Sequence, residues 1–401
     1  MREIGNRLPN PKAKRLFAAI RRHGPVSKFD LQKLCGLTPS TLTRLLDELC
    51  VAGWIEEHGL GESSGGRRPV LYRIRPRHRW VFGLDISRTY SKLVLCDLTL
   101  EKIDSVAWPM TDRMTPDALT DLVTRAVSEF CERHGIKRNR ILGLGIGAVG
   151  PVDRTGGTIL NPLYFPAEGW SNVPICAMME RLLSVPVLID NGANTALLGE
   201  YWTGAPNEYR HVLYVRAGVG LRSAMMSNGQ LVYGAVDMEG AVGHMIIQTD
   251  GPPHPVRRHM FGCLESFVSI PVLERQAISR IKQGRRTVLT EWIDQPEQVD
   301  FPLLIRALQA DDRMVTELFV QAATYFGIGL SNLLNILHPE LVILGGPLIA
   351  TNELFYRTCI QVALKNALYY PDYQVLFSRG NLSDDAIAIG AAAAVVSRVS
   401  E

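Results

Sequence analysis

Residues 38–72 constrain the fold most. Thr38-Pro39 opens a segment in which Leu42, Leu45, Leu46 and Leu49 recur at the spacing of one buried helical face. Thr38 suits the cap and Pro39 the first turn. The outward face near the start of that helix carries Ser40, Thr41, Thr43 and Arg44. Short hydroxyls with one arginine are the chemistry that meets base edges in the major groove. Upstream, Ser27-Lys28-Phe29-Asp30 fits a capping box for a short helix ending near Gly36, whose glycine allows a tight turn. Residues 11–22, with Leu16, Phe17 and Ile20, predict a supporting helix, and residues 54–57 and 69–74 predict two short strands. The loop between those strands ends in Gly65-Gly66-Arg67-Arg68, where glycines permit close approach to a phosphate backbone and arginines supply charge. This order of elements is that of a winged helix-turn-helix; the plainer alternative is a basic protein-interaction module.

Charge favours the nucleic-acid reading. Residues 1–80 hold 16 Lys and Arg against 7 Asp and Glu, a balance of +9, while the remainder holds 27 against 33, a balance of −6. The overall +3 therefore hides a basic head on an acidic body. With 401 residues and 46% hydrophobic content the chain can bury two or three cores. It has no long apolar run and no leader-like apolar stretch at its start, which points to a cytoplasmic protein with no membrane partner. Seven cysteines without a CxxC pair read as reduced thiols.

The body begins after a short basic joint at residues 73–79 and alternates apolar strands with helical stretches. Phe82-Gly83-Leu84-Asp85-Ile86-Ser87-Arg88-Thr89 leads into Lys92-Leu93-Val94-Leu95, which reads as a hairpin. Further glycine-bearing strand ends follow at Ile141-Leu142-Gly143-Leu144-Gly145-Ile146-Gly147, Val187-Leu188-Ile189-Asp190-Asn191-Gly192, Val215-Arg216-Ala217-Gly218-Val219-Gly220 and Leu341-Val342-Ile343-Leu344-Gly345-Gly346. Together with Gly243-His244, Gly262-Cys263-Leu264-Glu265 and Asp384-Asp385-Ala386-Ile387-Ala388, these segments resemble the ROK family of repressors and sugar kinases over essentially the whole chain. The resemblance implies an α/β chain: an N-terminal winged helix-turn-helix at 1–76, then a two-lobed actin-like ATPase (ribonuclease H-like) body. Its lobes are expected at 77–195 and 196–401, with the last helix returning to the first lobe.

Kinases of that family carry a base in Glu-Asn-Asp-x-Asn, where this chain has Gly192 in Asp190-Asn191-Gly192-Ala193-Asn194. Asp190 faces the same side of the strand and is the alternative base, displaced by roughly 6 to 7 Å. The first phosphate loop, Asp-x-Gly-x-Thr, here has Ser87 for its glycine; the second has Val219 for its threonine and Arg222 for a glycine. Arg222 reads either as a phosphate clamp or as an obstruction. The remaining glycines, Gly345 and Gly346 among them, are expected to serve turns. No catalytic residue and no enzyme activity are expected.

Carried over from the family, the sugar ligands would be Asn161, Asn191, His244 and Glu265, with Ala241 in place of a further carboxylate. Turn asparagines and a satisfied core histidine are the plainer readings. The family's zinc cysteines fall at Val256 and Arg258, leaving His244, His254, His259 and Cys263 as candidates for a rebuilt site. A metal-free loop over residues 251–261 is the expectation, with no cofactor. The chain thus reads as a transcriptional repressor of carbohydrate genes, a homodimer or homotetramer on a double-stranded DNA operator, answering to a sugar effector. Its rivals are a DNA-binding sugar kinase and a regulator controlled by a protein partner.

Overall fold

The structure is a computed structural model that describes residues 8, 10–62, 68–204, 208–254, 256, 257 and 259–400. Helix α1 (Pro11–His23) is capped by Asn10 and buries Leu16, Phe17 and Ile20. A two-residue strand, β1 (Val26–Ser27), precedes α2 (Lys28–Cys35). Ser27 caps α2, accepting from the Asp30 amide at 3.2 Å, and Gly36 closes it in the left-handed region at φ 62°. Helix α3 (Pro39–Val51) follows, then β2 (Ile55–Leu60) and β3 (Val70–Ile74). The three strands pair in the order β1-β3-β2, all antiparallel. The winged helix-turn-helix is therefore present, with a small extra strand that two residues of sequence could not announce.

The rest of the first compact unit holds β4 (Trp80–Ile86), β5 (Tyr90–Asp97), β6 (Lys102–Pro109), α4 (Pro116–Arg133), β7 (Ile141–Ala148), β8 (Val152–Asp153), β9 (Thr158–Ile159), α5 (Ile175–Leu183), β10 (Val187–Asn191) and α6 (Gly192–Thr203). Its sheet runs β10-β7-β4-β5-β6, with β4, β5 and β6 antiparallel and β7 and β10 added in parallel. The second unit holds β11 (Val212–Ala217), β12 (Leu221–Ser227), β13 (Gln230–Leu231), α7 (Ile270–Lys282), α8 (Leu289–Trp292), α9 (Phe301–Gln309), α10 (Arg313–Leu337), β14 (Leu341–Gly345), α11 (Pro347–Ala350), α12 (Glu353–Lys365) and β15 (Leu376–Ser378). Its sheet, β13-β12-β11-β14-β15, repeats the first: a three-strand meander and two parallel strands on the other flank. That duplication is the two-lobed plan expected from the glycine-bearing strands.

The units divide as Met1–Asn207 with Asp385–Glu401, and Glu208–Asp384. The head thus clusters with the first lobe. The division expected after residue 195 falls inside α6, an unbroken helix, so it moves to residue 207. The last helix, α13 (Ala386–Ser397), lies in the first unit and crosses its sheet at backbone contact. A Cβ at Gly83 would stand 1.9 Å from the Ala388 carbonyl, and one at Gly145 1.9 Å from that of Ala391. These two glycines are therefore packing sites in mid-strand and not turn residues, because the helix leaves no room for a side chain. Gly346 does serve a turn, at φ 92° with the Ala217 carbonyl 2.4 Å from its absent Cβ. Among the described residues no helix is long and apolar enough to cross a membrane.

Candidate DNA-reading face and effector site

Helix α3 owes its aim to its cap and its leucines. The Thr41 amide donates to the Thr38 hydroxyl at 3.4 Å, while Leu42, Leu45, Leu46 and Leu49 are buried. Ser40, Thr43, Arg44, Asp47, Glu48 and Val51 consequently line one shallow outward face. Ser40 and Arg44 are exposed, Thr41 and Thr43 half-buried. Thr43 spends its hydroxyl hydrogen on the Pro39 carbonyl at 2.8 Å, which leaves its oxygen as an acceptor. Arg44 is paired with Glu48 one turn on, at 2.5 Å, with side chains 60% and 50% exposed. Sequence reasoning missed Glu48 and Asp47 on this face, although their spacing of three and four from Arg44 was legible.

In the wing, Glu56 pairs with Arg73 at 2.8 Å and lies 3.9 Å from Arg75, so those cations are partly neutralised. Arg68 is exposed at the foot of β3. Arg67, with Gly65 and Gly66, lies outside the described residues.

The four expected sugar ligands fall two in each unit. In the first, Asn191 ends β10 and caps α6, its side-chain oxygen accepting from the Asn194 amide at 2.8 Å. Gly192 is the first residue of that helix. Asp190 accepts from the Asn191 amide and the Asn194 side chain, both at 2.8 Å, and its other oxygen lies 3.7 Å from Arg154. The candidate alternative base is thus engaged in holding the start of α6. Asn161 is exposed and accepts from the Ser171 hydroxyl at 3.1 Å. Ser87, in the first phosphate loop, donates to Asp85 at 2.5 Å, and both are buried.

In the second unit, Glu265 accepts from the Leu221 amide at 2.8 Å, and its other oxygen lies 3.5 Å from His254 Nε2. Arg222 and Glu239 form a buried ion pair at 3.2 Å, which the Ser223 amide reinforces by donating to the Glu239 carbonyl at 2.8 Å. Arg222 is thus already committed to a carboxylate and is not a free phosphate clamp in this structure. Glu239, its partner, carried no signal in the sequence.

His244, His254 and Cys263 converge, with ligand atoms within 4.8 Å of one another. His259 is exposed and outside this group, because the loop turns it to solvent. Burial, then Arg257, holds the His244 pKa below its ordinary value against the pull of Glu265. His254 Nδ1 accepts from the Val256 amide at 3.1 Å and the Arg257 amide at 3.0 Å. An imidazole that accepts at Nδ1 carries its hydrogen on Nε2, and that nitrogen then has no lone pair for a metal. In this ring orientation His244 and Cys263 are left as the nitrogen and sulfur donors of the group, fewer than the four ligands of a closed zinc site.

Comparison with known proteins places these features together. The ROK family model matches residues 81–398, which covers both sheets and the returning helix. The xylose repressor of Caldicellulosiruptor bescii is 29% identical over 372 residues, 93% of this chain and 92% of its own. The glucokinase of Halalkalibacterium halodurans is 26% identical over 268 residues, 67% of this chain and 80% of its own. The crystal structure of a ROK family transcriptional regulator, a homologue of the E. coli MLC protein, superposes with a TM-score of 0.79 at 20% identity, covering 96% of each chain. Matched by the family model over most of its length and by whole-chain relatives that span the head as well, the chain belongs to the ROK family.

Proposed function

We propose that the chain is a sequence-specific DNA-binding repressor of carbohydrate genes whose ROK body senses a sugar and transfers no phosphoryl group. The observation that carries this reading is the outward face of α3, capped at Thr38 and seated on four buried leucines, with Arg44 and hydroxyls presented to solvent. Ser40, Thr41, Thr43 and Arg44 would read bases, and Arg67 and Arg68 would hold phosphates. One winged head contacts too few base pairs for specificity, so a symmetric oligomer on a palindromic operator in the cytoplasm is the working assembly.

Several features argue against phosphoryl transfer. No carboxylate stands at Gly192, Asp190 is engaged at the start of α6, and Arg222 is locked to Glu239. Phosphoryl transfer needs a base, a metal-bound nucleotide and open backbone amides at once. Asn161, Asn191, His244 and Glu265 remain as hydrogen-bonding groups for an effector, and the whole-length match to a xylose repressor makes D-xylose the first sugar to try. The test is a thermal-shift series of the full chain with pentoses, hexoses and their phosphates, each with and without magnesium and ATP. A shift with one sugar that ATP does not alter supports the reading. Sugar-dependent ATP turnover would replace it with a DNA-binding kinase, and silence to every sugar would favour control by a protein partner.

A further inference from the structure

The head is tied to the body by two arginines that the function above does not use. In the last turn of α1, Arg21 lies 3.9 Å above the Trp202 ring and donates to the Ser397 hydroxyl at 2.9 Å. Arg22 donates to the buried Tyr201 hydroxyl at 2.8 Å. Tyr201 and Trp202 sit at the end of α6, and Ser397 is the final residue of α13. Both helices thus offer their C-terminal ends to the head.

The opposite end of α6 is Asn191, its cap and a candidate sugar ligand. Twelve residues, roughly 18 Å of helix, separate the two ends. Along that length α6 and α13 touch backbone to backbone. A Cβ at Gly390 would stand 1.6 Å from the Thr195 carbonyl, and one at Gly199 2.6 Å from that of Ala386. At these crossings backbone meets backbone, which leaves little room for one helix to shift against the other.

The grip itself is spare. The second Arg21 terminal nitrogen is buried without a hydrogen-bond partner, and burial lowers the group's pKa to about 9. Beside it lies a cavity of about 390 Å³ bordered by Arg21, Trp202, Arg73, Leu98 and Glu101. Other described ties, such as the Leu98 amide to the Pro76 carbonyl at 3.0 Å, lie on the joint. A contact that leaves one buried donor unsatisfied and faces a void is held with little surplus.

We propose that Arg21 and Arg22, gripping Trp202, Ser397 and Tyr201, form the latch through which a ligand at the Asn191 end of α6 re-aims the DNA-reading head. This rests on the sugar-sensing reading and names the elements that transmit it. Stacking on Trp202 requires the planar guanidinium, so lysine is not an equivalent at position 21.

The test uses the full chain, a duplex selected by the wild type from random-sequence DNA, and D-xylose or whichever sugar shifts its melting. In the wild type the sugar should change duplex affinity by about tenfold, within the usual range for coupled sites. Arg21→Gln and Trp202→Leu should reduce that change to below about twofold while the sugar's thermal shift stays as in the wild type. Tyr201→Phe removes only a hydroxyl and should reduce it partly. Full wild-type coupling in Arg21→Gln and Trp202→Leu would overturn the latch. If no sugar acts on the wild type, the effector reading fails and hydrogen exchange decides the latch alone. Trp202→Leu should then speed exchange in α1, the joint and the ends of α6 and α13, and unchanged exchange there would overturn it.

Discussion

Arg44 is the sharpest probe of the reading head, because the structure supplies both sides of its energy balance. In the free protein it is paired with Glu48 at 2.5 Å, with both side chains half or more in solvent. Exposed pairs four apart on a helix contribute about 0.2–0.5 kcal/mol, and arginine preceding glutamate is the weaker order. A bidentate contact to one guanine discriminates by about 1–3 kcal/mol. After the ion pair is broken, about 0.5–2.8 kcal/mol remains. Arg44→Ala should therefore weaken binding to the selected duplex by roughly twofold to a hundredfold. The loss should concentrate at one base pair, with that position no longer discriminated and the others unchanged. Glu48→Ala releases the arginine in advance and should strengthen binding about twofold, by the pair energy alone. Fluorescence anisotropy at fixed salt, run on the duplex and its single-base variants, reads each quantity. A uniform loss across all duplexes, with a shallower salt dependence, would make Arg44 a phosphate contact. No loss on any duplex would refute the assignment of α3 as the reading helix.

Three further outcomes are expected. Gly390→Ala should destabilise the first unit by about 3 kcal/mol or more in thermal or urea melts, since its Cβ meets the Thr195 carbonyl at 1.6 Å; Gly240→Ala, with nothing within 4 Å, should change stability by less than about 0.5 kcal/mol. His78 lies against Trp54 at 5.1 Å, and burial, then the charges of Arg79, Arg140 and Arg75, lowers its pKa from 6.5 to about 4. The unfolded chain binds that proton more readily, so the stability from neutral His78 is complete above about pH 6.5 and declines toward pH 4; His78→Phe should flatten that stretch of the melting profile, and an unaltered profile would remove His78 as its source. Elemental analysis should find well under one equivalent of zinc, with chelator leaving the melting temperature unchanged. Stoichiometric zinc whose removal lowers the melting temperature would mean that the His254 ring is turned over.

What could be read in the sequence is what is decided locally. Ser27, Gly36, Thr38 and Pro39 set helix ends through atoms within four residues, and the leucines of α3 repeat at a helical period, so the head was legible nearly to the residue. The repeated sheets were legible as apolar runs ending in glycine. The reason for some glycines was not. Gly83 and Gly145 are demanded by a helix roughly 250 to 300 residues downstream. Arg21 and Arg22 look in the sequence like ordinary cations at a helix C-terminus, favoured by the dipole. Their partners lie 376 and 179 residues away. The cluster of His244, His254 and Cys263 shows the same limit: spacing nominated four residues, and only the loop's path excluded His259.

The pattern of kept and altered positions in the body has a physical sense. Gly83, Gly145, Gly199, Gly390 and Gly346 stand where another backbone passes too closely for any side chain. The positions that depart from the kinase pattern, Ser87, Gly192, Val219 and Arg222, are those that the family resemblance assigns to phosphoryl transfer. Two of them have acquired internal partners: Ser87 bonds Asp85, and Arg222 is closed by Glu239. Gly192 opens α6 without obstructing its cap, so Asn191 remains at the start of a helix whose far end grips the head. The absence of a base at Gly192 therefore leaves intact the proposed path from the Asn191 end of α6 to α1. On the reading proposed above, a body arranged this way converts sugar binding into head position without phosphorylating the sugar, which is what a sensor of sugar concentration requires.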